Sequence, residues 1–132
     1  MTIIHLQPES LARSPAFSAG TITQGAGRLL VVGGQNGVDA SGALVGHDLA
    51  SQTRQALRNV LAVLAEGGAS QKDVAKLTIY LVAGQDPREA YGASAEVWGR
   101  FPTAITVLIV AGLANPAFLV EIDALAHVGD PA

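Results

Sequence analysis

The segment Ala104–Val110 constrains the fold more than any other part of the chain. Its seven residues are Ala-Ile-Thr-Val-Leu-Ile-Val, rich in β-branched side chains and free of charge. Such residues favour a strand, and apolar side chains on both of its sides are typical of a strand that is buried on both faces. The sequence therefore predicts a sheet that must be covered on each side.

The first of two predicted helices follows His47 and Asp48. Apolar positions recur at three- and four-residue spacing over residues 49–64, which is the pattern of a helix with one buried stripe. Gly67-Gly68 then end the helix, as glycines commonly do.

The second predicted helix begins at Asp86, where three signals agree. Asp86 stands at the cap, Pro87 at the first helical position, and Glu89 three residues after the cap. We expect this helix to extend to about Phe101. The residues expected on its buried side are Tyr91, Ala95 and Trp98.

Three more strands are predicted at Arg28–Gln35, Asp73–Val82 and Phe118–Val128. Two helices can cover only one face of the resulting sheet. Only 14% of the residues are charged and 49% are apolar, so we expect a partner subunit to cover the second face. The residues expected at that subunit interface are Thr106, Leu108, Val110, Leu119 and Leu125. The chain, residues 1–132, is expected to form a single α+β domain.

Several functional classes are disfavoured. Eight Lys and Arg against eleven Asp and Glu give a net charge of −3, and the basic residues are scattered, so no nucleic-acid surface is expected. The uncharged residues 101–120 are interrupted by prolines and glycine, so no membrane span is expected. The chain has no cysteine and its first residues do not look like a signal peptide, which makes the cytoplasm the expected compartment.

No metal or cofactor is expected either. The three histidines lack metal-ligand spacing, and no serine lies in a nucleophile-elbow motif. The run Gly33-Gly34-Gln35-Asn36-Gly37 follows a strand but precedes a turn, so it does not present a helix N-terminus to a dinucleotide phosphate. These glycines are interpreted as a strand end and tight turns, although they would also let a ligand approach the backbone closely.

Glu121 is the most informative carboxylate. In the strand Phe118–Val128 it shares a side with Asp123, opposite an apolar side that would pack on the helices. Both acids would then lie where subunits meet, and a partly desolvated Glu121 could serve as a general acid or base. The alternative is that both acids are simply solvated or ion-paired.

The chain resembles the reactive-intermediate deaminase family, also called the Rid or YjgF-type family and, in older usage, endoribonuclease L-PSP. The resemblance covers about residues 14–128. Each motif is modest alone, but their order and spacing make the resemblance specific. The motifs are Val32-Gly-Gly-Gln35, Gly42 with Leu44-Val45, Asp48-Leu-Ala-Ser-Gln-Thr53 with Gln55-Ala-Leu-Arg-Asn-Val60, Asp73-Val-Ala-Lys-Leu-Thr78 and Val120-Glu-Ile-Asp-Ala124.

The resemblance implies a chorismate-mutase-like mixed sheet with two helices packed on one face, assembled as a homotrimeric barrel. It also implies three clefts between subunits, each holding a small metabolite, with Glu121 as the glutamate that orients the attacking water in imine or enamine hydrolysis. The other cleft residues implied are Phe17, Gly33, Gly34, Gln35, Ala104 and Thr106.

Ala104 departs from the pattern, because deaminating relatives carry there the arginine that binds the substrate carboxylate. Gly33 stands in place of a serine, Thr106 in place of a common cysteine and Phe17 in place of a tyrosine. Three functions are therefore considered: a trimer that binds a small ligand, neutral or differently charged, with hydrolysis through Glu121; a non-catalytic binding or regulatory module; and, less favoured, an endoribonuclease or translation inhibitor.

Overall fold

A computed structural model describes residues 3–130 as an α+β fold with two helices on one side of a mixed sheet. The four-stranded sheet has the order β3-β6-β4-β5, in which β4 and β5 are parallel and the other neighbours antiparallel. Strands β1 and β2 pair separately as an antiparallel ladder. The elements are β1 Ile3–Leu6, β2 Gly20–Thr23, β3 Gly27–Gln35, α1 Leu49–Glu66, a 3-10 turn Gln71–Asp73, β4 Val74–Val82, α2 Pro87–Trp98, β5 Ala104–Val110 and β6 Val120–Gly129.

Helix α1 forms the centre of the core, as its apolar stripe predicts. The Asp48 carboxylate caps it by accepting from the backbone N–H of Ser51 at 2.8 Å, and Gly67 follows its last residue. Its stripe packs on β6 and β3. Gln52 also lies on that buried side, although the apolar pattern of the sequence did not predict a glutamine there. Its amide donates to the carbonyls of Gly46 and Ala117 and accepts from the N–H of Leu119.

Helix α2 is shorter and rotated relative to the prediction. It ends at Trp98 because Gly99 adopts φ of 82°, a left-handed conformation that stops the helix. Tyr91 is 64% exposed and Ala95 is also exposed, so those two assignments were wrong, whereas Trp98 is buried as predicted. The buried positions are Ala90, Ala93 and Trp98. The two alanines are small, so α2 lies close against α1.

Trp98→Ala is expected to lower the free energy of unfolding by about 3–5 kcal/mol, because a buried indole leaves a large cavity. Trp98 is 5% exposed and belongs to the core, and its Nε1–H has no partner among the described residues. Trp98→Phe is the matched control and should cost much less, since it removes that unpaired donor and keeps most of the ring. Denaturant unfolding at fixed protein concentration measures both, and a loss below about 1 kcal/mol for the alanine variant would contradict the prediction.

The opposite side of the sheet, called here the open sheet face, carries the side chains that point away from the helices. Its apolar part on β3 and β6 consists of Leu29, Val31 and Leu125, which are 72%, 64% and 41% exposed. Its members on β4 and β5 are Lys76, Thr78, Tyr80, Ala104, Thr106, Leu108 and Val110.

Three predictions about the sheet faces need correction. Alternation along residues 73–82 predicts Ala75 on the same side as Leu77 and Leu81, but a register shift between Val74 and Lys76 puts Val74 in the core instead. Leu119 precedes β6 and packs against the core, so it does not belong to the open sheet face. On the helix side of β5, Val107 and Ile109 are 50% and 57% exposed because β5 is the edge strand.

Neither α1 nor α2 is both long and apolar enough to span a lipid bilayer.

Candidate active site

Glu121 lies on β6, half-buried, with its side chain on the open sheet face. The Asn36 Nδ2 amide donates to its Oε1 at 3.2 Å and to the Val120 carbonyl at 3.1 Å. Within residues 3–130 no arginine, lysine or histidine forms a salt bridge with Glu121. The carboxylate is therefore held by a neutral donor, and it keeps its capacity to accept a further proton or to orient a water molecule.

Gly34 makes room for this carboxylate. The β3–β6 register shifts between Val32 and Gln35, so Gly33 and Gly34 form an irregularity in the strand beside Glu121. A β-carbon built on Gly34 collides with Oε2 of Glu121, whereas one built on Gly33 meets no atom within 4 Å. The Glu121 side chain thus occupies the space beside the Gly34 backbone.

A chain of amides fixes Asn36 itself. Asn59 of α1 donates from Nδ2 to the carbonyls of Asn36 and Val38 at 3.0 and 2.9 Å. Gln55, one turn earlier, donates to Asn59 Oδ1 at 2.9 Å. Because these groups are part-buried and mutually satisfied, they hold the loop after β3 against a rigid helix and so position Glu121.

Gly34→Ala is expected to displace the Glu121 carboxylate from Asn36 with little loss of stability, because the colliding group is the end of a flexible side chain. Gly33→Ala is the matched control and should leave Glu121 in place. Crystal structures of both variants measure the effect. An unmoved Asn36–Glu121 hydrogen bond in the Gly34 variant would show that the glycine is not needed there.

The other predicted cleft residues surround a cavity of about 400 Å³ between the N-terminal hairpin and the edge of the sheet. Phe17, Ala104 and Thr106 line it, together with Thr21 and Lys76. Their positions depend on buried Ser18, which bridges to Ala104 in parallel register. Ser18 also donates from its backbone N–H to the Thr103 carbonyl at 3.1 Å and from its hydroxyl to the Pro102 carbonyl.

The predicted site residues form two separate groups in one chain. On β4, Glu121 is paired with Tyr80 and Ala104 is paired with Lys76. Glu121 and Ala104 are therefore offset by four residues along the strand direction, and they lie two strand spacings apart in the sheet. At ordinary sheet dimensions their Cα atoms lie roughly 16 Å apart. Glu121, Gly33, Gly34 and Gln35 therefore do not meet Phe17, Ala104 and Thr106 within a single subunit.

A second carboxylate on the open sheet face has a different environment. The Tyr80 hydroxyl donates to Asp123 Oδ2 at 3.0 Å, and this hydrogen bond, with smaller contributions from burial and from the charges of Asp123 and Glu121, raises the pKa of Tyr80. The Tyr80 hydroxyl stays protonated and remains hydrogen-bonded to Asp123. Glu121 is then the carboxylate available for chemistry on this side of the sheet.

The histidines contribute no metal site to the described part of the chain. No three His, Asp or Glu side chains converge on one point among residues 3–130. His5 lies within hydrogen-bond distance of the Ser18 hydroxyl, with 3.0 Å between Nδ1 and Oγ.

Sequence reasoning missed Asn36, Asn59 and Lys76. The alternation of residues 73–82 does place Lys76 on the same side as Tyr80, and this was the available signal for it. Nothing local marks Asn36 as a partner of Glu121, because 85 residues separate them.

The family model described as endoribonuclease L-PSP matches residues 8–128. A RutC family protein of Pyrococcus horikoshii is 36% identical over 103 residues, which cover 77% of this chain and 81% of that protein. A solved structure of the Rid family protein YyfB from Yersinia pestis is 34% identical with a TM-score of 0.86, and the match covers 97% of this chain and 100% of that one.

The chain belongs to the Rid family. A further Rid-family structure, a member of the YjgF/YER057c/UK114 family from Mycobacterium tuberculosis, is 33% identical with a TM-score of 0.67, covering 85% of this chain and 86% of that one. The family resemblance and the α+β fold expected from it are thus confirmed.

Proposed function

We propose that this Rid-family chain acts as a homotrimer whose three clefts each bind a small metabolite. Each cleft would combine the cavity of one subunit with the Glu121 group of its neighbour. The observation that supports this most is the separation of the two groups within one chain, because a shared site then requires a second copy. The exposed Leu29, Val31 and Leu125 provide an apolar surface for such an assembly.

The chemistry proposed for the cleft is hydrolysis of an imine through Glu121. The Glu121 carboxylate accepts a proton from a water molecule while the water oxygen bonds to the imine carbon. The proton then passes to the nitrogen, which gives a carbinolamine. As the carbon–nitrogen bond breaks, the hydroxyl proton of the carbinolamine moves through Glu121 to the departing nitrogen, and the products are a carbonyl compound and ammonia. Asn36 keeps the carboxylate aimed at the water throughout.

Ala104 favours a second candidate, a non-catalytic binding or regulatory module. A methyl group at this position offers no planar pair of donors to orient a substrate carboxylate. An amino-acid oxidase acting on different amino acids supplies a panel of imines that separates the two functions. Turnover of any of these imines that disappears in Glu121→Gln supports the hydrolase, whereas Tm shifts without turnover across the panel support the binding module.

Assembly is tested independently by mass. Light scattering or sedimentation at micromolar concentration should give about three times the chain mass of 13.5 kDa. A stable species of one chain mass would contradict the trimer and, with it, the shared cleft.

A further inference from the structure

We propose that Asn36 is a modification site, at which the backbone nitrogen of Gly37 displaces the side-chain amide and the residue becomes aspartate or isoaspartate. The product can no longer donate the hydrogen bond that holds Glu121, so the modification inactivates the candidate site. The chemistry at Asn36 stands on its own observations, whereas its effect on turnover rests on the proposed function.

The attacking group is the backbone nitrogen of Gly37. This glycine is buried, and its N–H donates to no acceptor within residues 3–130. Buried backbone N–H groups are nearly always hydrogen-bonded, so this nitrogen is exceptional in having no partner to hold its proton. Because Gly37 has no β-carbon, the path from its nitrogen to the neighbouring side-chain amide is also free of steric hindrance.

The peptide carbonyl between Asn36 and Gly37 accepts two hydrogen bonds. The Val38 N–H donates to it at 2.8 Å, and Asn59 Nδ2 donates at 3.0 Å. When a peptide nitrogen loses its proton, negative charge moves onto the carbonyl oxygen, and donors already aimed at that oxygen stabilise the charge. Both hydrogen bonds therefore favour the deprotonated Gly37 nitrogen, which is the nucleophile.

The leaving group is the side-chain nitrogen Nδ2 of Asn36, which donates to Glu121 Oε1 at 3.2 Å. The Gly37 nitrogen bonds to Cγ of Asn36 and closes a five-membered succinimide ring. The Cγ–Nδ2 bond breaks, and the proton given up by Gly37 reaches Nδ2, so ammonia departs. At hydrogen-bond distance from Nδ2, the Glu121 carboxyl group is placed to deliver that proton. Water then adds to either carbonyl of the ring and opens it to aspartate or isoaspartate.

The product has a carboxylate where the amide donor was. The present hydrogen bonds from Asn36 to Glu121 and to the Val120 carbonyl are lost, because all the groups then facing one another are acceptors. Two carboxylates this close also repel each other. In isoaspartate the main chain is longer by one carbon, which disturbs the adjacent bridge between Val38 and Leu44. Either product displaces Glu121 from its position.

The other two asparagines of the chain are internal controls. Asn59 lies inside α1, where the N–H of the next residue is engaged in the helix. Asn115 precedes Pro116, whose nitrogen carries no hydrogen. Neither has a free backbone N–H beside it, so both amides should persist while that of Asn36 is lost.

Incubation of the native protein in warm, mildly alkaline buffer, followed by trypsin digestion and mass spectrometry, measures each site separately. Cleavage after lysine and arginine puts the three asparagines in different peptides, 29–54, 59–72 and 101–132. Peptide 29–54 should gain roughly one dalton at residue 36, the change from an amide NH₂ to OH, and the other two should keep their masses. A sample digested before incubation corrects for changes made during digestion.

Asn36→Gln is the matched control for the covalent step, because its extra methylene moves the amide away from the Gly37 nitrogen. Its peptide should keep its mass. An unchanged native peptide 29–54, or equal rates at all three asparagines, would overturn the assignment of the modification site.

Asn36→Asp reproduces one product without incubation and tests the effect on the site. Its crystal structure should show the Glu121 carboxylate displaced. Combined with Ala104→Arg, it should abolish the Glu121-dependent turnover expected of Ala104→Arg alone. An unmoved Glu121, or undiminished turnover, would overturn the inactivating effect. If Ala104→Arg alone has no turnover, the proposed hydrolysis fails, and the peptide masses and the position of Glu121 still decide this inference.

Discussion

The native protein is expected to hydrolyse 2-aminoacrylate and 2-iminobutanoate at a rate hardly above background, and Ala104→Arg is expected to raise that rate roughly 10- to 100-fold. This increase corresponds to lowering the activation free energy by about 1.5–3 kcal/mol, the contribution of a hydrogen bond to a charged group. The two-point contact would also align the imine carbon with the water beside Glu121. Keto-acid release from imines generated in situ measures the rate.

Two controls make the result specific to the cleft. Ala104→Met adds side-chain volume at the same position without charge and should give no increase. Glu121→Gln in the Ala104→Arg background should abolish the gain, since it removes the proton acceptor. Efficient turnover by the native protein would refute the expectation.

Val31→Asp is expected to convert the assembled protein into single chains. Val31 is 64% exposed in the isolated chain and lies beside Leu125 on the open sheet face, which the trimer would bury. Burying an unpaired carboxylate in an apolar interface costs several kcal/mol, on the order of the stability of the interface itself, and a threefold assembly repeats the penalty three times. Sedimentation should then give a mass near 13.5 kDa in place of three times that value.

Tyr91→Asp is the matched control for that substitution. Tyr91 is also 64% exposed, but it lies on α2, on the helix side of the molecule. Its replacement should leave the mass of the assembly unchanged. If both variants dissociated, or neither did, the open sheet face would not be the specific interface.

Local signals predicted most of the framework. The cap at Asp48, the glycines after α1 and the alternation of β6 each depend on residues a few positions apart, and the structure has them where the sequence placed them. Tyr91 was assigned to the wrong side of α2 because small alanines occur on more than one side of this helix. Its periodicity therefore does not show which side packs against the core. The hairpin of β1 and β2 was not predicted, since its two short strands are separated by an irregular loop.

The candidate site was only partly predictable for a different reason. Motif resemblance identified Glu121 and Ala104, whereas their separation depends on the strand order β3-β6-β4-β5, which no short segment encodes. The same long-range pairing sets Lys76 beside Ala104 and Asn36 beside Glu121. Contacts of this kind become visible only when the sheet is assembled.

Cross-linking across the proposed cleft tests the shared site most directly. The chain has no cysteine, so Gly33→Cys and Thr106→Cys can be introduced together as the only thiols. Within one chain the two positions lie on β3 and β5, three strand spacings or about 14 Å apart. A cross-link between the two cysteines of the same chain would still migrate on the gel as one chain. With a short bis-maleimide, a denaturing gel should show bands at two and three chain masses for the double variant and one chain mass for each single variant. Only the single-chain band in the double variant would contradict a cleft built from two subunits.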